Sequence, residues 1–571
     1  METKKLTVAS YIHIDGVTEE EILSYLAVPQ DKELADFALP CFRFAKILRK
    51  SPQAIAEGLK TEILAKNHPF SAVEAVNGYL NFKFDRGETA CSVLNQVLEK
   101  GNAYGEIGEG NGKTVCIDYS SVNIAKPFHI GHLSTTVIGG ALYRIYNKLG
   151  YKAVGINHLG DWGTQFGKLI VAFQKWGSEK ELEEGGVPAL NRWYVQYHKE
   201  AEIDPTLDDL ARAKFKEIED GKPEAMRLFT MFREITLKEV KKTYERLDIH
   251  FDSYNGEAFY NDKMQPVLDE LKKKGLMIPS DGAEVVDLSA DDMPPCLLLR
   301  ADGATLYATR DLAAAVYRKN TYDFYKCLYV VAYQQNLHFR QVFRVLELMG
   351  KPWAKDLEHV AFGMVSMEDG AMSTRKGKVV LLEDVLNRAA EKSLKIIAEK
   401  SPDLKDKEKV AEEIGVGAVV FFALSNNRIK DIVFSYDKVL NFDGETGPYV
   451  QYTNARCNSI LRKAAAENIV VPSVLSKEDT AGIDNTESAA LIALLEQYPA
   501  TLSEVLKRSE PSLLTRLLVD IAQAFNKFYL ENRILNVEPA LQKGRIALVK
   551  ATATVLREGM RLIGMKAPEE M

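Results

Sequence analysis

The sequence predicts an α/β protein: a parallel-sheet domain carrying a helical insertion, with a small α+β unit before it and an all-α bundle after it. Three observations carry that reading. From about residue 113 to 400, strand-like and helix-like patterns alternate, with candidate strands over 114–119, 152–157, 326–332 and 359–365. A charged, mostly helical stretch from about 170 to 290, including Met226 through Leu247, interrupts the alternation and reads as a large insertion. From about 405 onward the apolar residues recur at helical spacing, over Val410 to Leu424, Leu491 to Leu506, Ser512 to Tyr529 and Arg545 to Leu562.

The length of 571 residues suits about three domains. The expected boundaries are 1–110, 111–400 with the insertion at about 170–290, and 401–571. In the first unit a helix is expected over the fifties and early sixties, and Tyr79-Leu80-Asn81-Phe82-Lys83-Phe84 alternates like a strand. Gly105 to Gly112 is a glycine-rich linker. Its Gly108-Glu109-Gly110-Asn111-Gly112-Lys113-Thr114 run is not a phosphate-binding P-loop, because the spacing is one residue short and it precedes a strand instead of following one. There are no internal repeats.

Composition bounds the function. Hydrophobic content of 46% and charged content of 27% fit ordinary globular cores. No apolar run approaches a membrane span and no signal-peptide core opens the chain, so a cytoplasmic protein without membrane partners is expected. The six cysteines contain no C-x-x-C pair and read as reduced, small apolar residues. A net charge of −7 does not advertise nucleic-acid binding. A local basic face would suffice for it, however.

The chemistry concentrates at one strand-to-helix corner, Ser120-Ser121-Val122-Asn123-Ile124-Ala125-Lys126-Pro127-Phe128-His129-Ile130-Gly131-His132. The strand-like Thr114 to Tyr119 precedes it. A helical pattern follows through Leu133, Val137, Ala141, Leu142, Ile145 and Leu149, with Gly150 at the C-terminal glycine position. His129 and His132 therefore flank a helix N-terminus, where backbone N–H groups and the dipole favour anions. Neutral imidazoles can donate to phosphate oxygens, Lys126 adds a full charge, and Gly131 lets a nucleotide approach the backbone. No Cys pair or third ligand accompanies the histidines, so no metal site is expected.

His129-Ile130-Gly131-His132 matches the HIGH signature of class I aminoacyl-tRNA synthetases. The flanking Asp118-Tyr119-Ser120-Ser121 and Asn123-Ile124-Ala125-Lys126-Pro127 resemble the arginyl-tRNA synthetase family. Asn157 through Gly167, Tyr307 through Ala315, Tyr329-Val330-Val331 with Gln334 through Phe339, and Asn441 through Tyr452 are similar to later family blocks in the same order. Met372 through Val380 resembles the family's KMSKS loop. Val122, Ser134, Gly140 and Ala371 depart from residues common in the family: proline, arginine, aspartate and lysine.

The resemblance implies a Rossmann-type catalytic domain that joins L-arginine to its tRNA through an arginyl-adenylate, with ATP as co-substrate and Mg²⁺ arriving with it. It implies catalytic roles for His129, His132, Lys126 and Lys376, and ATP contacts from Gly131, Ser373, Arg375 and Lys378. Arginine contacts would come from Asp118, Asn123, Tyr307, Asp311 and Gln335. Guanidinium is a planar fork of donors, which calls for carboxylates. The resemblance also implies tRNA contacts from Tyr79 and Asn81 in the first unit, from Tyr449, Tyr452 and Arg456 in the last, and a monomeric chain. Three rivals stand beside it. Another class I synthetase shares HIGH but not the Asp118, Asn123, Tyr307, Asp311 and Gln335 set. A non-catalytic RNA-binding relative would not need both ATP motifs. A nicotinamide dehydrogenase would need a G-x-G-x-x-G after a strand, and none is present.

Overall fold

The computed structural model describes residues 2–29, 34–300, 304–367 and 380–571. The chain divides into two units. The first comprises Met1–Gly105, Thr453–Thr501 and Val519–Glu558; the second comprises Glu106–Tyr452, Leu502–Leu518 and Gly559–Met571.

The first unit holds an antiparallel sheet of β1 (Phe37–Pro40), β2 (Phe70–Val76) and β3 (Tyr79–Phe84) in the order β1-β3-β2. Asn77-Gly78 joins β2 to β3 with φ of 50° and 78°, the turn geometry that matches strand twist. A Cβ on Gly78 would come within 2.8 Å of the Phe42 ring, so only glycine fits. The helix Pro52–Leu64 starts where the Ser51 hydroxyl accepts from Ala54 N–H, and it buries Ile55, Ala56, Leu59 and Ile63 against the sheet. Phe70 and Phe82 meet edge to face at 5.0 Å inside this core. The helix Arg86–Lys100 follows. Its Asn95 and Cys91 donate to Leu475 O, tying it to the C-terminal segment of the same unit.

The second unit is built on a four-stranded parallel sheet of β4 (Thr114–Asp118), β5 (Lys152–Ile156), β9 (Lys326–Tyr329) and β10 (Leu357–His359), in the order β10-β9-β4-β5. The sheet is buried on both faces, as parallel sheets are. The insertion contains the expected helices, among them Thr164–Trp176, Glu179–Ile203, Thr206–Glu219 and Pro223–Arg246. It also contains what the sequence reading missed: an antiparallel sheet of β6 (Met277–Ser280), β7 (Ala283–Val286) and β8 (Cys296–Leu299). The β6–β7 turn is Asp281-Gly282, with φ of 48° and 79°.

The strand expected over 359–365 is split. β10 ends at His359, and β11 (Val365–Met367) leaves the main sheet to pair in parallel with β12 (Ile432–Phe434). Gly363 marks the crossing: its N–H donates to Arg428 O at 2.7 Å, and a Cβ there would lie 2.3 Å from Lys430 O. β12 is also the one strand among the described residues beyond 400, so the helical region is not wholly α from 401. The four expected C-terminal helices form, as Lys407–Ser425, Thr486–Arg508, Ser512–Glu531 and Pro539–Ile563.

The linker before β4 docks against the turn after helix Leu133–Lys148. Gly110 N–H donates to Leu149 O and Gly112 N–H to Gly150 O, and a Cβ on Gly110 would meet Tyr151 N at 2.2 Å. Gly150 has φ +85°, as its position after the helix predicts.

Candidate active site

β5 lies on one side of β4, while β9 and β10 lie on the other. Strand order therefore reverses between β4 and β9, and the crevice beyond the carboxyl ends at such a switch point is the usual ligand position in these sheets. The corner 119–132 follows β4 and the segment 330–339 follows β9, so both rims of the crevice come from the motifs singled out in the sequence.

The corner after β4 is held in a strained path. Ser120, Ser121 and Ala125 all have positive φ, of 68°, 44° and 59°. Each costs about 1–2 kcal/mol for an L-residue with a side chain. Tertiary bonds hold the path in place. Ser120 N–H donates to Thr135 Oγ1 at 2.9 Å, and the Ser120 hydroxyl bonds Thr136 Oγ1 at 2.9 Å and the Tyr244 hydroxyl at 2.8 Å. Ala125 N–H donates to Thr236 Oγ1 at 3.1 Å. Thr135 in turn donates to Val330 O at 2.7 Å, which joins the rim after β4 to the rim after β9. Gly160 N–H donates to Val122 O and Ile124 N–H to Gly160 O. A Cβ on Gly160 would sit 2.3 Å from Asn123 Oδ1, which explains the glycine in the Asn157–Gly167 block.

His129 caps the short helical turn Ile130–His132 that leads into Leu133–Lys148. Gly131 N–H donates to His129 Nδ1 at 3.1 Å. This bond places the His129 ring proton on Nε2, while His132 Nδ1 lies 3.2 Å from His129 N and 3.3 Å from His129 O and can accept from the one or donate to the other. The rings lie 4.0 Å apart. Burial pushes His132 down to about 3; burial and the Lys126 charge push His129 down as well. At neutral pH the pair thus consists of two uncharged imidazoles, and Lys126, on the exposed part of the corner, supplies the cation.

The carboxylates differ sharply. Asp118, at the end of β4, is 5% exposed and has both oxygens engaged: Oδ2 accepts from Arg318 Nη2 at 2.7 Å and Oδ1 from Ser121 Oγ at 2.8 Å. Arg318 is 1% exposed, with its plane 5.2 Å from the Tyr329 ring centroid and His158 Nδ1 at 3.4 Å. Asp311, on helix Tyr307–Tyr322, is half-buried and bonds His338 Nε2 at 2.6 Å. Burial raises the Asp311 pKa, but the bond from His338 and the charges of His338, His158 and Arg318 outweigh it and hold the carboxyl below its usual range. Tyr307 is 70% exposed, and Asn123 and Gln335 are exposed.

Arg318, His338 and His158 were not assigned roles from the sequence. His338 and His158 lie inside the quoted motif blocks. Arg318 follows Asp311 by seven residues, two turns along one helix face, which is the signal that could have found it.

The insertion supplies a charged wall. Asp161, 2% exposed, accepts from Arg233 Nε at 3.0 Å and from Ala258 N–H at 2.9 Å. Glu257 N–H donates to Leu159 O, and its carboxylate faces Arg310 at 3.7 Å. Burial pushes the Glu257 carboxyl up to about 7 against the pull of Arg310.

Ser373, Arg375, Lys376, Lys378 and Ala371 lie outside the described residues. The flank that follows them is anchored to the histidine corner: Ile130 N–H donates to Val380 O and Leu382 N–H to Phe128 O, both at 3.0 Å. In the first unit Tyr79 is 43% exposed on β3. Asn81, by contrast, is 3% exposed in the centre of that sheet, with its Oδ1 unpartnered. The resemblance implies a tRNA contact for both, and only Tyr79 is at the surface. On helix Gly447–Ala466, Tyr452 is 41% exposed, and Arg456 packs over the Tyr529 ring while bonding Asn526. Gly140, the departure from aspartate, is crowded: a Cβ there would meet Ile249 Cδ1 at 2.3 Å. Among the described residues no group of three or more His, Cys, Asp or Glu is placed to hold a metal, and no helix is long and apolar enough to cross a membrane.

Residues 93–436 match the family described as tRNA synthetases class I (R), catalytic domain. Residues 4–84 match the arginyl tRNA synthetase N terminal domain, and residues 450–571 the DALR anticodon binding domain. The arginine--tRNA ligase of Alkaliphilus metalliredigens is 51% identical over 98% of this chain and 97% of that protein; the one from Clostridioides difficile is 50% identical over the same shares. In three dimensions the chain is similar to Thermus thermophilus arginyl-tRNA synthetase, with a TM-score of 0.80 at 24% identity, covering 100% of this chain and 99% of that one. The Plasmodium falciparum arginyl-tRNA synthetase gives 0.78 at 23% identity, covering 100% and 97%. At these identities the structural likeness speaks to the fold.

Proposed function

The chain belongs to the arginyl-tRNA synthetase family of class I synthetases, and from that premise we propose how its residues carry out ATP-dependent ligation of L-arginine to tRNA. The observation that carries the reading is the pair of neutral imidazoles at His129 and His132, beside Lys126 at the switch point of a parallel sheet.

In the first step the arginine carboxylate attacks the α-phosphorus of ATP and pyrophosphate leaves. This forms a mixed anhydride, arginyl-adenylate. In the second step a hydroxyl at the 3′ end of tRNA attacks the arginyl carbonyl and AMP leaves. Neither step needs a protein nucleophile; positioning and charge neutralisation carry the rate. His129 and His132 donate to the phosphate oxygens as charge spreads onto them, and Gly131 leaves room for the nucleotide. Lys126 supplies a unit charge, worth about 4 kcal/mol at 4 Å for an effective dielectric near 20. Lys376, with Ser373, Arg375 and Lys378, neutralises the departing pyrophosphate. Mg²⁺ enters with the ATP phosphates, since it dehydrates reluctantly and suits substrate oxygens.

Asp311 accepts the substrate guanidinium, with Tyr307 on the same helix face, and Asn123 and Gln335 bond the substrate's backbone end. Asp118 supports the pocket from below through Arg318. Residues 111–400 perform the chemistry, while residues 1–110 and 401–571 hold the tRNA. Tyr79, with Asn81 ordering its strand, contacts one end of that RNA, and Tyr449, Tyr452 and Arg456 contact the other. The enzyme acts as a cytoplasmic monomer.

The direct test offers the purified chain total tRNA, ATP and each of the twenty amino acids in turn. Arginine alone should become attached, and lysine should not compete. An acceptable lysine would leave the fork acceptors of the pocket unpaired, which can cost four to five decades of discrimination. Attachment of a different amino acid, or none, contradicts the reading.

A further inference from the structure

Two carboxylates flank the crevice, and the protein uses them differently. Asp118 is buried and already bonded at both oxygens, Oδ2 to Arg318 and Oδ1 to Ser121. Asp311 is bonded at Oδ2 alone. Its partner, His338, is the one hydrogen-bond partner of its side chain among the described residues.

That bond comes from a different element. Asp311 stands one turn into helix Tyr307–Tyr322, while His338 opens helix Asn336–Leu348 after the β9 rim. Both side chains are about a quarter exposed, so the pair sits at the crevice surface instead of beneath it. A lone Asp carboxyl turns freely about its terminal torsion, whose preference is broad. A guanidinium fork, in contrast, needs both carboxylate oxygens in its own plane. A short bond to Oδ2 fixes that oxygen and restricts the plane of the group, leaving Oδ1 and the second lone pair of Oδ2 without another side-chain or backbone bond among the described residues. Misplacement of a binding group by about 1 Å can cost two decades of rate, so fixing the plane matters.

We propose that His338 is a positioning residue for arginine recognition: its Nε2–H holds the Asp311 carboxylate in the orientation that receives the substrate guanidinium. The proposal rests on the reading of Asp311 as the guanidinium acceptor. It needs no proton transfer and gives His338 no contact with ATP.

The experiment compares His338→Leu, His338→Gln and His338→Asn with the unaltered enzyme in arginine attachment to tRNA. The Leu variant removes the donor. The Gln amide nitrogen reaches the place of imidazole Nε2, and the Asn amide falls short of it. Loss of a hydrogen bond to a charged group predicts a rise of about tenfold or more in KM for arginine with Leu and Asn. KM for ATP and kcat at saturating arginine should stay within about twofold, and Gln should restore most of the loss. Adding His338→Leu to Asp311→Asn should bring no further rise beyond Asp311→Asn alone, because the two residues act as one unit.

An unchanged KM for arginine in His338→Leu, while Asp311→Asn raises it, overturns the positioning role and leaves the Asp311 reading intact. An unchanged KM for arginine in Asp311→Asn overturns the Asp311 reading itself. Parallel changes in both KM values and kcat across all three His338 variants assign the residue to the fold and contradict the proposal.

Discussion

The corner after β4 and the lip formed by helices Tyr307–Tyr322 and Asn336–Leu348 face the same crevice but are built on opposite plans. The corner is over-determined: of its three residues with positive φ, Ser120 is pinned by Thr135, Thr136 and Tyr244, Ala125 by Thr236, and Ser121 bonds Asp118, which Arg318 also holds. The lip is sparsely bonded and exposed, with Tyr307 and Gln335 open to solvent and Asp311 fixed by a single partner. The difference follows from what each must do. Phosphate chemistry rewards donors that do not move during the reaction. Recognition of a side chain requires acceptors left unsatisfied until the substrate arrives.

The largest expected effect breaks the buried half of that contrast. Arg318→Met leaves Asp118 as an uncompensated buried carboxylate and should lower stability by about 3–5 kcal/mol, read from the urea midpoint at constant m-value. A change within experimental error would mean that the pair is solvated and the corner is not over-determined.

Next in size, His132→Ala removes one preorganised donor. Arginine-dependent ATP–pyrophosphate exchange should fall by about 10²–10³-fold while tRNA affinity is retained. Equal loss of tRNA binding would point to a collapse of the corner.

The pH dependence of stability sharpens the same contrast. His132 is held down to about 3 from its ordinary 6.5, so the unfolded chain binds more protons between those values. Its contribution is complete above pH 6.5 and is lost as pH falls toward 3. Glu257 works the other way. Its carboxyl is raised from 4.5 to about 7, so its contribution is present below 4.5 and is lost as pH rises through 7. His132→Ala should therefore flatten the acid side of the stability profile, and Glu257→Gln the side between pH 4.5 and 7. Profiles that do not change shape would contradict those environments.

The smallest expected effect concerns Gly140. Gly140→Asp restores the residue common in the family but drives a side chain into Ile249, whose Cδ1 lies 2.3 Å from the new Cβ. A loss of about 1–3 kcal/mol is expected, and pairing it with Ile249→Ala should recover part of it.

Much of this was legible in the sequence, for physical reasons that can be named. The histidine corner could be read because strand, capping turn and helix are local and carry their own residue signals. The long periodic helices could be read for the same reason. The β6–β7–β8 sheet was missed although Ser280-Asp281-Gly282-Ala283 is a hairpin signal, because strands of four residues carry little periodicity inside a charged stretch. The single strand expected over 359–365 was split because β11 pairs with β12, 67 residues further along the chain at Val365↔Ile432, and nothing local encodes that partner. The partner of Asp118, implied by the resemblance to contact arginine, was hidden for the same reason. Arg318 lies 200 residues away, and only the folded chain brings the two together. The resemblance implied an RNA contact for Asn81, but β3 is the central strand and Asn81 is buried in it.

The measurement that tests the central claim most directly is KM for arginine, set beside KM for ATP, in Asp311→Asn and Asp118→Asn. Asp311→Asn should raise the arginine KM by about a hundredfold with little change for ATP, as loss of a charged fork acceptor should. Asp118→Asn should act mainly on stability. A selective rise in arginine KM in Asp118→Asn, with none in Asp311→Asn, would contradict the central claim.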